Sequence, residues 1–239
     1  MKRIRFIIAI LLFLAGVCIL LWPKIQGTRI ERSEREAVQS FWEISQGDEP
    51  WNDMDEVPFA DLYRDMVLYN QTIYAQHQID LKDPWSCEQE LFDLTAYGLE
   101  DGIVGVLDIP SCAIQMPIYI GASDEHLLMG ACVISNTSMP IGGMNTNCVI
   151  AGHRSMYSAT MFRHLDMIQR GDPVYVTNLW NRLEYSVSDI RVIEPSDVGE
   201  ILIQDGHDML TLITCHPYGG GGRQRLVVYC ERSVYSGDA

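Results

Sequence analysis

The first apolar feature of the chain is also its longest. From Phe6 to Trp22 no charged residue interrupts a hydrophobic run bounded by Arg5 on one side and Pro23-Lys24 on the other. A run of about 17 to 25 such residues is long enough to cross a bilayer as a helix. Beyond it the character changes. Residues 24 to about 80 predict helix: Glu31 to Ile44 is polar and charged with few breakers, and Ala60 to Ile79 carries Leu62, Met66, Tyr69 and Ile73 at the three-to-four spacing of one helical face. Asp48 to Pro58, with two prolines and five acidic residues, predicts the loop between them.

From Gly102 onward the runs become short and alternating. Ile103–Ile109, Gln115–Ile120, Asn147–Ala151, Val174–Thr177, Leu183–Val187, Arg191–Ile193, Met209–Thr214 and Arg225–Tyr229 predict strands, punctuated by Gly, Pro, Asn and Asp. Many short strands at near-regular spacing predict a barrel or sandwich, so the fold class is mainly β. One helix is expected among them. Ser158 would be its N-cap, Met161, Phe162, Leu165 and Ile168 its apolar face, and Gly171 the residue after its end.

Composition narrows the partners. A net charge of −15 excludes a dedicated nucleic-acid binder, because phosphate recognition needs a basic surface. The hydrophobic fraction, 47%, suffices for a sizeable core. Lys2, Arg3 and Arg5 precede the apolar run, as in signal peptides and signal anchors, while Lys24, Arg29, Arg32 and Arg35 follow it, so charge bias alone leaves the orientation open. Ala15-Gly16-Val17-Cys18 is close to a lipoprotein cleavage site, but Val17 stands where that site needs a small residue. An uncleaved anchor is therefore expected. Of the seven cysteines, Cys18 lies in this run. No Cys-x-x-Cys pair occurs, so neither zinc nor a redox dithiol is predicted and no cofactor is expected. Irregular spacing makes most of the other thiols expected core residues.

Candidate chemistry sits at strand ends. Cys215 closes the run Thr211-Leu212-Ile213-Thr214-Cys215, and Arg225 opens the next, Arg225-Leu226-Val227-Val228-Tyr229. Between them lie Pro217 and four glycines, Gly219 to Gly222. Antiparallel pairing of these strands would bring thiol and guanidinium together. A free thiol titrates near 8.5, and a nearby cation or base favours the nucleophilic thiolate. Upstream, Val149-Ile150-Ala151-Gly152-His153 ends another apolar run on a His that can move protons near neutral pH. Cys, His and Arg predict acyl transfer with Cys as nucleophile, His as acid and base, and Arg as partner of the developing oxyanion. Arg223 competes with Arg225 for the last role. Arg154 is expected at the surface or the rim of the substrate site.

These motifs resemble the sortases, cysteine transpeptidases of Gram-positive cell surfaces. Thr211 to Cys215 matches the family's TLxTC motif and Gly152-His153 its catalytic His motif. Cys215-His216-Pro217-Tyr218-Gly219 followed by Arg225-Leu226-Val227-Val228 is similar to the class C, pilin-polymerising branch. The likeness runs from about Tyr69 to Arg232. It departs at His216, in a Gly-rich loop about one residue longer than usual, and in lacking the second, C-terminal apolar stretch that many class C relatives carry.

The resemblance implies an eight-stranded closed barrel with short helices. Its domains would be a stub over 1–5, a transmembrane signal anchor over 6–22, a helical extension over 23–80, a lid segment over 81–100, the catalytic barrel over 101–232 and a tail over 233–239. The family pattern favours Arg225 over Arg223. It makes Asp83-Pro84-Trp85 a lid over the groove, with Thr214, His216 and Tyr218 as groove residues. It implies cleavage of an LPxTG-like signal between Thr and Gly and transfer to an amine, either a pilin lysine or a peptidoglycan precursor. LPxTG-bearing pilins or surface proteins would be the partners, and the catalytic domain would lie outside a single-pass anchor. The alternatives are a cysteine hydrolase or endopeptidase, a housekeeping-type sortase, and a non-enzymatic adaptor. His before Cys in the chain counts against papain-like enzymes, and a Gln-Ala-Cys context is absent, which counts against caspases.

Overall fold

A single helix, α1 (Lys2–Ile44), runs unbroken through Pro23. In the computed structural model, which describes residues 2–45, 58–81, 92–157 and 159–233, none of its apolar N-terminal half is buried. Its second half packs on the barrel through a stripe at helical spacing. Gly27, Glu34, Val38 and Phe41 are buried there, with Ile30 and Ala37 half-buried beside them. Full burial of a side chain such as Phe41 stabilises by about 2 to 3 kcal/mol. The Ser40 hydroxyl adds a hydrogen bond to Asp101 Oδ2 at 2.7 Å.

Helix α2 (Ala60–Ala75) buries Leu62, Met66 and Ile73, the face expected from the sequence. It ends at Ala75, and turns carry the chain on to Asp80. Asn70 and Gln78 fasten this region to the loops at one end of the barrel. Asn70 Oδ1 accepts from Met139 N at 2.7 Å, and Gln78 bridges Asn136 O and Ile203 N.

The remaining chain builds eight strands: β1 (Ile103–Ile109), β2 (Ile114–Ile120), β3 (Ala131–Val133), β4 (Thr146–Ala151), β5 (Pro173–Asn178), β6 (Arg182–Ile193), β7 (Asp208–His216) and β8 (Gln224–Arg232). They close into a barrel in the order β1-β2-β3-β4-β7-β8-β6-β5. The β2–β3 and β4–β7 pairs are parallel and the others antiparallel. β4 is buried along its whole length and β7 along most of it, so both read as continuous apolar runs. β5 alternates, with every second residue buried. A short helix, α3 (Asp124–Met129), is capped by Ser123, whose hydroxyl accepts from His126 N at 3.1 Å.

Three differences from the sequence reading have physical causes. The runs Leu183–Val187 and Arg191–Ile193 belong to one strand, β6, interrupted by a register shift between Val187 and Asp189. β3 is only three residues long, too short for an alternation to register. The helix expected between residues 158 and 171 reduces to a 3₁₀ turn at Leu165–Met167. Met161 has φ 41°, a left-handed conformation that stops helical propagation, and Phe162 N–H bonds back to His153 O at 3.1 Å. Met161, Phe162, Leu165 and Ile168 are still buried, so turns satisfy the spacing that suggested a helix.

Candidate active site

Strand register assembles the site. In the parallel β4–β7 pair Ala151 lies opposite Ile213. His153 and Cys215 each follow that pair by two residues, so both leave the barrel at the same end. In the antiparallel β7–β8 pair Cys215 lies directly opposite Arg225. Opposed residues of such a pair put their side chains on the same face, a few ångströms apart. The three residues predicted from the sequence thus lie on three consecutive strands of the barrel wall or their direct continuation.

Thr214 locks this end. It is buried, and its hydroxyl donates to Gly152 O at 2.8 Å, next to His153. Gly152 N–H donates in turn to Ile213 O at 3.2 Å. Thr214 therefore fastens the strand ends from inside instead of lining an open groove. Gly152 has a steric reason to be glycine: an added Cβ would lie 2.9 Å from the Phe162 ring.

The loop between β7 and β8 closes over the thiol. At Gly222, with φ +64°, an added Cβ would meet Cys215 Sγ at 3.2 Å and Arg225 Nη1 at 3.8 Å. Arg225 Nη1 donates to Gly222 O at 2.6 Å and to Gln224 O at 3.1 Å. The loop carbonyls thereby orient the guanidinium beside the sulfur. Arg223 is exposed in the same loop.

Cys215 stands apart from the other thiols. Cys112, Cys132, Cys148 and Cys230 are buried free cysteines, whereas Cys215 is half-buried. Burial pushes the Cys132, Cys148 and Cys230 thiols far above their ordinary range, so they stay protonated and inert. Cys18 is exposed on the apolar half of α1, and Cys87 lies outside the described residues. Burial also lowers the pKa of His153, against a smaller opposing pull from the Asp124 carboxylate. A neutral imidazole at neutral pH can accept a proton.

The other sequence candidates divide. His216, next to Cys215 on β7, faces the opposite side of the sheet and pairs with Gln224. Tyr218 is exposed, with the Arg163 guanidinium 5.6 Å from its ring centre. Arg163 also donates to Ser155 Oγ at 2.7 Å, so it joins the β4–β5 segment to the loop after Cys215. Nothing in the periodicity of the sequence marked Arg163. Arg154 is not at the surface. It is buried, paired with Asp166 at 2.8 Å and bonded to Arg163 O at 3.0 Å. Asp83-Pro84-Trp85 and Ser158 lie outside the described residues. Among the described residues no group of three or more His, Cys, Asp or Glu could hold a metal ion.

A half-buried thiol lies opposite an arginine, with a histidine on the neighbouring strand end, an arrangement suited to cysteine acyl transfer at one end of a closed β-barrel. The family model described as Sortase domain matches residues 107–233. Sortase A of Bacillus anthracis is 24% identical over 216 residues, covering 90% of this chain and 88% of that protein. Sortase A of Staphylococcus aureus is 33% identical over 137 residues, covering 56% and 63%. Among solved structures, "Sortase C1 of GBS Pilus Island 1" superposes with a TM-score of 0.72 at 27% identity, over 86% of this chain and 95% of the other. Sortase C from Clostridium perfringens gives 0.66 at 29%, over 84% and 99%. Sortase C of Streptococcus pneumoniae gives 0.65 at 30%, over 85% and 100%. The chain belongs to the sortase family, and it is a sortase-type cysteine transpeptidase.

Proposed function

We propose that the chain is a class C-like sortase that joins an LPxTG-bearing pilin to a lysine amine of another pilin. The observation that carries the chemistry is the Cys215–Arg225 cross-strand pair with His153 in phase on the adjoining strand end. In this reading the Cys215 thiol proton passes to neutral His153, and the sulfur attacks the carbonyl of the signal's Thr. Arg225 bonds the oxyanion. The Thr–Gly C–N bond then breaks as His153 returns the proton to the leaving amine, which leaves a thioester. An incoming amine attacks that thioester, gives a proton to His153 and displaces the Cys215 thiolate, which takes the proton back. Pre-placed donors at a developing oxyanion and a positioned acid–base each accelerate such steps by about 10² to 10³ or more.

Acceptance of a lysine amine rests on the extent of the superposition on sortases C, one of which carries "Pilus Island 1" in its title. The Sortase A relatives support the competing reading, attachment to peptidoglycan. The test supplies an LPxTG-type peptide with either a lysine-bearing pilin fragment or a peptidoglycan cross-bridge peptide. Amide conjugate with the lysine acceptor is expected. Conjugate with the cross-bridge alone would replace pilin polymerisation by wall attachment, and free carboxylate with every amine would make the enzyme a hydrolase.

The apolar half of α1 is read here as an uncleaved anchor over 6–22, with the barrel outside the cell. The run has no small-x-small site ahead of Pro23, and the helix passes through that proline without a break. Mass spectrometry of the protein from membranes should find the apolar run intact. A mature N-terminus between about residues 20 and 30 would make it a signal peptide.

A further inference from the structure

The membrane-proximal half of α1 carries two glutamates into its contact with the barrel, where an apolar stripe alone would pack. Glu31 Oε1 accepts from both Thr160 N and Thr160 Oγ1, each at 3.1 Å. Thr160 lies seven residues beyond His153, in the segment that backs it. Phe162 N–H bonds His153 O at 3.1 Å, and the Phe162 ring fills the space over Gly152. One carboxylate on α1 is therefore two residues from the contacts that hold His153 in place. Glu34, one turn along, is only 7% exposed, and its Oε1 has no hydrogen-bond partner among the described residues. It lines a cavity of about 240 Å³ with Glu31, Arg35, Gln115 and Thr160.

We propose that this half of α1 is a positioning element for the His153 segment: Glu31 holds the segment through Thr160, and the charge state of Glu34 sets the pH range in which the helix stays seated. The proposal rests on the assignment of His153 to the reaction. Burial is the first cause that pushes Glu34 up to about 7, the Glu31 carboxylate adds to it, and Arg35 opposes both. The other titratable groups on the packed elements are Tyr119 on β2, Cys132 on β3, Asp101 ahead of β1, Asp108 on β1, and Asp124, Glu125 and His126 on α3, the last stacked on Tyr119. None of them is a cation that pairs with Glu34. An acid whose pKa is higher when seated than its ordinary 4.5 favours seating fully below that value. It loses the contribution as pH rises through about 7. Alkaline conditions should therefore loosen the grip on the His153 segment.

The test uses the full-length chain in detergent micelles. Hydrogen exchange of the Thr160 amide and kcat with an LPxTG-type peptide and a lysine acceptor are both measured at about pH 5 and about pH 8.5. Glu34→Gln keeps the shape and removes the charge. At the higher pH its Thr160 amide should exchange about tenfold more slowly than wild type, and at the lower pH the two should agree within about threefold. Glu31→Ala should speed that exchange at both pH values and lower kcat about fivefold or more, and Glu31→Gln, which retains an acceptor, should restore most of both. A Glu34→Gln-to-wild-type exchange ratio that is the same at both pH values would overturn the role of Glu34. Unchanged exchange in Glu31→Ala would overturn the clamp. If exchange moves as expected and kcat does not, the link to catalysis is wrong. His153→Ala then decides the other question: full activity in that variant refutes the assignment of His153, and loss of activity leaves that assignment standing while the link fails.

Discussion

Cys215→Ala should yield no covalent acyl-enzyme and no amide product with any amine. The other thiols among the described residues cannot substitute. Cys112, Cys132, Cys148 and Cys230 are buried, the last three held protonated by the core around them, and Cys18 sits on the apolar half of α1. Intact-mass spectrometry after incubation with an LPxTG-type peptide reads the adduct directly. Retained turnover in this variant would remove Cys215 as nucleophile and with it the whole acyl-transfer scheme. Because Cys215 is only half-buried at a strand end, the substitution should leave the barrel folded, which circular dichroism can check.

Arg225→Ala should lower kcat by about 10²- to 10³-fold, the usual cost of losing a pre-placed oxyanion donor. Arg223→Ala should change kcat by less than about threefold, because Arg223 is exposed in the loop while Arg225 lies opposite Cys215 and is aimed by the Gly222 and Gln224 carbonyls. Measuring kcat and KM for both variants separates them. Equal losses would mean that the loop, and not the cross-strand pair, provides the cation. The size of the effect should survive replacement by lysine only in part, since an ammonium cannot reproduce the two-carbonyl anchoring of the guanidinium fork.

The meeting of Cys215, Arg225 and His153 was more legible in the sequence than the elements around it. Cys215 and Arg225 could be paired in advance because the glycine-rich connection makes β7 and β8 neighbours, and the register then places them opposite each other. His153 was marked by ending an apolar run. Its partnership with β7 is a parallel, long-range pairing that no local pattern encodes. The family pattern makes Thr214 a groove residue, yet the alternation of a strand turns it inward to Gly152. The segment after His153 misled for a different reason. Its apolar spacing is helical, but tertiary bonds from Phe162 N–H to His153 and from Arg154 to Arg163 and Asp166 outweigh local propensity. The role of Glu31 was invisible, since a glutamate on a polar helix looks solvated until the barrel is set against it.

The unbroken course of α1 also fixes an altitude. At about 1.5 Å per residue, the nine steps from Trp22 to Glu31 amount to roughly 14 Å. With residues 6–22 in the bilayer as proposed, a strut of that length with no loop in it would hold the barrel close above the lipid headgroups and restrict its tumbling. A partner tethered in the same membrane would then meet the enzyme by searching a plane instead of a volume, at a height set by the helix. A flexible insertion after Trp22 would let the barrel wander without touching a residue of the active site.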